Sequence, residues 1–231
     1  MEVLLLLMSG FSISAFPFSF VSTAELTDAQ GVHVTVQGPE AEEVLLAADP
    51  DRPQLWYMPV ATCQRGLEQM VWYERVDNAE EEYTDRRTLC FGRLTNRGLQ
   101  TPRLHEEPVP WGGPNNVVMR RSPYPPTWGG FNVHQLVYDG RQFRMLYWDQ
   151  PPEGDAGAML ATSTDGIQWT KDPRGTVFTE HNDAFTLLKK NDGFLLYQTK
   201  LQDWPDKPVQ DNLPHKRRVQ SLRASKDLIT W

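Results

Sequence analysis

One carboxylate set between polar neighbours is the residue of this chain best suited to chemistry. Asp183 follows His181 and Asn182 and stands just before the apolar run of residues 184–188. A carboxylate at the start of a strand can accept a proton, stabilise positive charge or accept hydrogen bonds from ligand hydroxyls. Asp183 is therefore the candidate catalytic residue, with His181 and Asn182 as candidate substrate-binding neighbours. The structural alternative for Asp183 is a cap on the start of the strand.

Other polar and aromatic side chains stand where predicted strands begin or end. The candidate substrate-binding residues of this group are Asn132, His134, Trp148, Asp149 and Gln198, with Lys200, Glu74 and Tyr57 as weaker additions. Each has a structural alternative, because buried histidines are usually hydrogen-bonded and an aspartate before two prolines is typical of a turn. No Cys/His spacing suggests zinc, and no phosphate loop or nucleophile elbow is present, so we expect no metal or cofactor.

The elements that must position these residues end in a repeated motif. The motif Ser-x-Asp-Gly-x-x-Trp begins at Ser163, and a second copy with Leu in place of Gly begins at Ser225. A degenerate third copy begins at Thr95. Ser and Asp side chains readily bond the backbone of their own turn, so we expect a structural role for the repeat. Its residues are Ser163, Asp165, Trp169, Ser225, Asp227 and Trp231.

Each copy closes a string of short strands joined by tight turns. Asp139-Gly140 and Asp192-Gly193 separate the first two strands of two such units, and Asp-Gly predicts a hairpin turn with positive φ at both central residues. A weaker fourth strand is expected near residues 176–178. Four antiparallel strands in a repeat of about 60 residues are typical of a β-propeller blade, and a generic sandwich is the alternative.

The predicted fold is therefore an all-β β-propeller, with about three blades in residues 53–231. The blades span approximately residues 55–110, 115–178 and 181–231. The hairpin and Asp turns share one face in this geometry, and the candidate site residues share the other. Glu80 to Glu82 should form a solvated hairpin tip on that second face.

Composition limits the partners and the compartment. The chain has 231 residues and a net charge of −7, which argues against nucleic acid and anionic membrane surfaces. Residues 1–24 resemble a cleaved secretory signal, although Glu2 departs from the usual basic start, and a membrane anchor is the alternative. We expect a secreted, periplasmic or extracellular protein with no stable membrane insertion, in which residues 25–52 lead into the propeller. Cys63 and Cys90 are either paired or free thiols.

Most of the aromatic residues should belong to the core. The chain has eight Trp and seven Tyr, and aromatics in a propeller usually pack between blades. A role in stacking on a ligand ring is open mainly to Trp128, Trp148 and Trp204, which stand near predicted loops.

The motifs resemble those of a known group. The repeated Asp turns, the strands at residues 144–147 and 89–91 and the strand start at residues 115–118 are similar to the five-bladed propellers related to glycoside hydrolase families 32 and 43. The resemblance covers residues 55–231 and implies a carbohydrate substrate or ligand. It also implies that about three of five blades are present, as in an N-terminal fragment. Those hydrolases place carboxylates at the axial start of each blade, and Asp183 is the residue that matches.

Several motifs of the group are absent. The Trp-x-Asn-Asp-Pro-Asn-Gly, Arg-Asp-Pro and Glu-Cys motifs of family 32 do not occur. Glycoside hydrolysis needs two carboxyl groups about 5 to 10 Å apart, and only one is assigned. Two functions stay open: an exported glycoside hydrolase whose other carboxylates lie beyond Trp231, and a non-catalytic carbohydrate-binding or interaction propeller.

Overall fold

The computed structural model describes residues 44–47, 49–179, 185–206 and 215–231, with the backbone alone at His134. It divides the chain into two units, residues 1–45 and 46–231. In the first unit only Val44 and Leu45 are described, so the predicted signal of residues 1–24 lies outside the described residues. Every strand named below belongs to the second unit.

Three antiparallel sheets follow one another along the chain. The first comprises β1 (Leu55–Arg65), β2 (Glu68–Asp77), β3 (Arg87–Thr95), β4 (Gly98–Gln100) and β5 (Val117–Arg120). The second comprises β6 (Asn132–Tyr138), β7 (Phe143–Asp149), β8 (Gly157–Ser163) and β9 (Thr170–Phe178), and the third β10 (Phe185–Lys190), β11 (Gly193–Asp203) and β12 (Lys216–Ser225). The only helical element among the described residues is a 3₁₀ turn at Tyr83–Asp85. The prediction of an all-β, antiparallel fold is confirmed.

Strand order within each sheet follows chain order, with one addition. β7 pairs with β6 on one side and β8 on the other, as the motif pattern predicted. β5 pairs with β3, so residues 117–120 belong to the first sheet, and the predicted start of the second unit near residue 115 is wrong. The reason is packing: Met119 pairs with Leu89, and both side chains enter the cluster between the first and second sheets.

The second sheet is buried on both faces. One face packs on the first sheet in a cluster that includes Trp72, Phe91 and Phe143. The other face packs on the third sheet, where Leu146 meets Leu196 and Leu228 in a second cluster. β7 therefore has almost no exposed position, unlike an antiparallel strand with one solvated face.

Both Asp turns have the same hydrogen bonds. In the first, Ser163 Oγ donates to Asp165 Oδ1 at 2.8 Å and accepts from the Gly166 N–H at 2.8 Å. In the second, Ser225 Oγ donates to Asp227 Oδ1 at 3.0 Å and accepts from the Leu228 N–H at 2.9 Å. Each aspartate also accepts from the backbone N–H groups two and three residues further along the chain, so the side chains of the turn bond its own backbone.

The predicted geometry of the Asp-Gly hairpin turns is wrong. Gly140 has φ of +96°, but Asp139 does not have positive φ. In the second hairpin neither Asp192 nor Gly193 has positive φ, and Gly193 pairs with Lys190 as the first residue of β11. The first connection is a wider loop, in which Asp139 Oδ1 accepts from the N–H groups of Arg141 and Gln142 at 2.9 Å each. The carboxylate closes the loop, so a two-residue turn is not required.

The first Asp turn also joins the first two sheets. Gly166 has φ of +78°, and its carbonyl accepts from Trp72 Nε1 at 2.7 Å. A Cβ at this position would lie 2.5 Å from a carbon of the Trp72 ring. In the second Asp turn Leu228 takes the equivalent place with φ of +69° and buries its own side chain. The Trp72 ring over Gly166 fills the junction between the first and second sheets, and the Leu228 side chain fills the junction between the second and third sheets.

We predict that Gly166→Ala lowers the free energy of unfolding by about 2 to 4 kcal/mol, because it adds a steric clash with Trp72 to the cost of positive φ. Gly140→Ala is the matched control, since that residue has positive φ and open space within 4 Å. We expect the control to lose about 1 kcal/mol. Urea unfolding followed by tryptophan fluorescence measures both, and equal losses would contradict the packing role of Gly166.

Candidate functional site

The candidate site residues of the first two sheets lie at the end opposite the Asp turns. Phe143 pairs with Ser163 beside the turn, whereas Trp148 pairs with Asn132 and Ala158 at the far end of the second sheet. The first sheet contributes its own side chains near the same end. We call this region the rim and define it by Glu74, Arg87, Arg121, Asn132 and Asp149.

A buried ion pair links the two sheets at the rim. Glu74 Oε2 accepts from Arg87 Nη2 at 2.7 Å and from Arg87 Nε at 3.1 Å. Its other oxygen accepts from the Val133 N–H at 2.6 Å, and Arg87 also donates to Asn132 Oδ1 at 2.8 Å. Burial raises the pKa of Glu74, and the Arg87 charge and these hydrogen bonds oppose that shift. The carboxylate positions the start of β6.

Asp149 holds the loop that crosses from the first sheet to the second. Its two oxygens accept from the Ser122 N–H at 2.9 and 3.2 Å, and Oδ1 also accepts from the Gln150 N–H at 2.9 Å. Gln150 Oε1 accepts in turn from the Thr127 N–H at 2.8 Å. Burial raises the pKa of the Asp149 carboxyl group, and its hydrogen bonds oppose that shift.

Trp148 lies in the core. Its ring is fully buried in the cluster between the second and third sheets, and Nε1 donates to the Trp128 carbonyl at 2.9 Å. It therefore has no exposed face on which a ligand can stack. Trp128 and Trp204 are partly exposed, at 36% and 41%, so part of each residue is open to solvent.

The structure brings Asn132, Trp148 and Asp149 to one end of the second sheet. Gln198 is buried on the third sheet, where it pairs with Phe185 and Ser221. Of the weaker candidates, Tyr57 lies on β1 and Lys200 lies on β11. His181, Asn182 and Asp183 and the side chain of His134 lie outside the described residues.

Sequence reasoning missed a buried ion network beside the rim. Glu80 is buried, and its Oε1 accepts from Arg75 and Arg52 at 2.7 Å each, so the prediction of a solvated tip is wrong for this residue. Arg75 also donates to Asp77 at 3.0 Å and lies 3.8 Å from the centre of the Trp111 ring. In the sequence, the charged residues Arg75 and Asp77 alternate at the end of the apolar strand β2. This pattern was the signal that could have indicated the network.

The two cysteines are free thiols. Cys63 lies on β1 and pairs with Met70, whereas Cys90 lies on β3 and pairs with Tyr73, so they sit at different levels of the sheet. Burial raises the pKa of Cys90 to about 11. Cys90 is therefore a thiol at neutral pH and a poor nucleophile.

The described residues offer neither a metal cluster nor a membrane-spanning helix. No group of three or more His, Cys, Asp or Glu residues there is arranged to hold a metal ion. Within the same ranges, no helix has the length and apolar character needed to cross a membrane.

Comparisons with known proteins gave structural neighbours and no sequence relatives. No family model and no curated protein matches the chain. A solved structure described as a BT0996 RGII complex is similar with a TM-score of 0.47 and 13% identity over 80% of this chain. Another, described as a glycoside hydrolase, has a TM-score of 0.48 and 12% identity over 81%. The match spans 58% of the length of each of these two proteins.

We predict that Glu74→Ala lowers the free energy of unfolding by about 3 kcal/mol, because it leaves Arg87 without its carboxylate at a largely buried position. Glu68→Ala on the same strand is the control, since Glu68 lies 3.5 Å from Arg93 in an exposed pair. We expect the control to lose less than about 1 kcal/mol. Chemical denaturation checks both, and a small loss for Glu74→Ala would show that the rim ion pair does not join the sheets.

Proposed function

We propose that residues 55–231 form consecutive blades of a β-propeller in an exported protein, and that its rim recognises a carbohydrate. The single observation that carries the proposal is the repeated arrangement of the sheets. Two of them end in an identically bonded Asp turn, and β6, the first strand of the second sheet, contacts both β1 and β10. Adjacent first strands with sheets stacked face to face are the arrangement of blades around an axis.

The chemistry of the rim supports a polar, hydroxyl-rich ligand. Arg87 and Asn132 place donors and acceptors at partly exposed positions. The crossing loop adds the partly exposed Trp128, whose carbonyl bonds Trp148, the strand partner of Asn132. Guanidinium, amide and aromatic groups together bind sugar hydroxyls and the apolar faces of sugar rings. The resemblance of the repeat motifs to glycoside hydrolase propellers points to the same ligand class.

Hydrolysis requires two available carboxyl groups, and the described rim does not offer them. Both oxygens of Glu74 and both oxygens of Asp149 already accept hydrogen bonds from Arg87 or from backbone N–H groups. Asp183 stays the proposed catalytic acid or base, and its partner must come from another part of the protein. The engaged carboxylates favour the second candidate function, a propeller that binds carbohydrate without cleaving it.

We predict that Asp183→Asn in the full-length protein lowers turnover of a cleaved oligosaccharide about a hundredfold or more, because the amide cannot transfer the proton. Asp165→Asn is the matched control. We expect it to lower the free energy of unfolding by about 1 to 2 kcal/mol, since it weakens charge-assisted bonds within one turn, and to leave turnover unchanged. Rates of reducing-sugar release and urea unfolding measure the two effects.

The same pair of variants separates the two functions. Carbohydrate binding without any turnover in the wild-type protein supports the binding propeller. Turnover that Asp183→Asn leaves intact would remove Asp183 as the catalytic residue, and loss of turnover in Asp165→Asn alone would place the site at the opposite end of the sheets. A protein that binds no carbohydrate would contradict the proposal.

A further inference from the structure

Two arginines lie side by side at the end of the first sheet, an arrangement that normally costs stability. Thr88 pairs with Arg120 in the β3–β5 ladder, and the Arg121 N–H then donates to the Arg87 carbonyl at 3.4 Å. Arg87 and Arg121 are thus cross-strand neighbours. Like charges directly opposite on one face of a sheet repel each other.

Both side chains belong to the face that packs on the second sheet. Side chains alternate along a strand, so Arg87 shares its face with Leu89, and Arg121 shares its face with Met119. Leu89 and Met119 lie in the cluster between the two sheets. The arginines therefore continue this apolar face to the rim, where Arg87 reaches Asn132 at the start of β6.

The two charges are neutralised unequally. Arg87 forms an ion pair with Glu74 at 2.7 Å, and its side chain is 20% exposed. No described carboxylate lies within ion-pair distance of Arg121, although Asp149 is close enough to attract it. The oxygens of Asp149 accept hydrogen bonds from backbone N–H groups instead.

Arg121 is held in place by Tyr83. Its guanidinium lies 3.7 Å from the centre of the Tyr83 ring, and Nη2 donates to the Tyr83 hydroxyl. Its Nε is buried and has no hydrogen-bond partner among the described residues. Burial lowers the pKa of Arg121, Tyr83 and Asp149 oppose that shift, and the neighbouring Arg87 charge adds to it. A fixed guanidinium that no described carboxylate pairs with, next to a second guanidinium, attracts an anion.

We propose that Arg121, with Arg87 beside it, binds the carboxylate of an acidic sugar, so that the ligand of the rim is a uronic-acid-containing carbohydrate. This inference rests on the proposed carbohydrate function and narrows it to one ligand class. A carboxylate beside the Arg121 guanidinium adds a charge-assisted hydrogen bond and offsets the repulsion between the two arginines. Asn132 and Trp128 are partly exposed residues of the same end of the second sheet and of the crossing loop, where the rest of the sugar would lie.

The test compares uronic-acid oligosaccharides with their carboxyl-reduced counterparts, which differ only in CH₂OH for COO⁻. Calorimetry on the full-length protein should show tighter binding of the acidic form. Arg121→Gln should weaken that binding about tenfold to a hundredfold and leave binding of the reduced form nearly unchanged. Arg121→Lys keeps the charge without the planar fork and should fall between the two.

Arg120→Gln is the matched control, because Arg120 is the adjacent residue on the opposite face and pairs with Asp85 at 2.7 Å. It removes the same charge and should leave the preference for the acidic form intact. Thermal unfolding by circular dichroism establishes that each variant is folded. Sodium sulfate at equal ionic strength tests whether any anion competes; competition by sulfate as strong as by glucuronate would overturn the assignment to a carboxylate.

The outcomes distinguish the inference from the function on which it rests. Equal binding of acidic and reduced oligosaccharides overturns the uronic-acid site and leaves the carbohydrate function standing. A preference for the acidic form that survives Arg121→Gln also overturns it. Binding of neither form contradicts both proposals.

Discussion

The burial of the second sheet between its two neighbours is the constraint on which the rest of the structure depends. β7 has side chains in both major clusters, with Phe143 on one face and Leu146 on the other. Such a sheet is stable only when the adjacent sheets stack on it, because an uncovered face would expose large apolar side chains to water. The three sheets therefore stabilise one another, and the first sheet has in addition a smaller cluster of its own, which includes Val71, Tyr73 and Val117.

Stacking also explains why the two ends of the sheets differ. At one end the backbone satisfies itself through the Ser and Asp side chains of each turn, so few polar groups there remain available. At the other end the crossing loops are irregular, and buried carboxylates such as Glu74 and Asp149 must bond their N–H groups. Polar side chains therefore collect at the rim for structural reasons first. Arg121 differs from these residues, because no described carboxylate forms an ion pair with its guanidinium.

The group Glu74, Arg87 and Asn132 shows how a structural contact positions neighbouring groups. Arg87 is fixed by Glu74 on its own sheet and by Asn132 on the next, so it has little freedom to move. Arg121 beside it is held separately, by the ring and the hydroxyl of Tyr83. A recognition site built on such buried pairs is preorganised, because its side chains are already held when the ligand arrives.

The sequence by itself determined most of the strands and the bonded turns at Ser163 and Ser225, but not the geometry of the Asp-Gly hairpins. The strands and bonded turns depend on neighbouring residues, through alternation of apolar side chains and short-range hydrogen bonds. The tertiary structure decided what those elements contact: Val117–Arg120 joined the first sheet, Glu80 became buried, and Glu74 bonded a backbone group 59 residues further along the chain. These outcomes depend on which sheet faces stack and in what register, which short-range patterns do not encode. The sequence singled out Asp149 and Asn132 from their places at strand ends, but only the pairing of β5 with β3 set Arg121 beside Arg87.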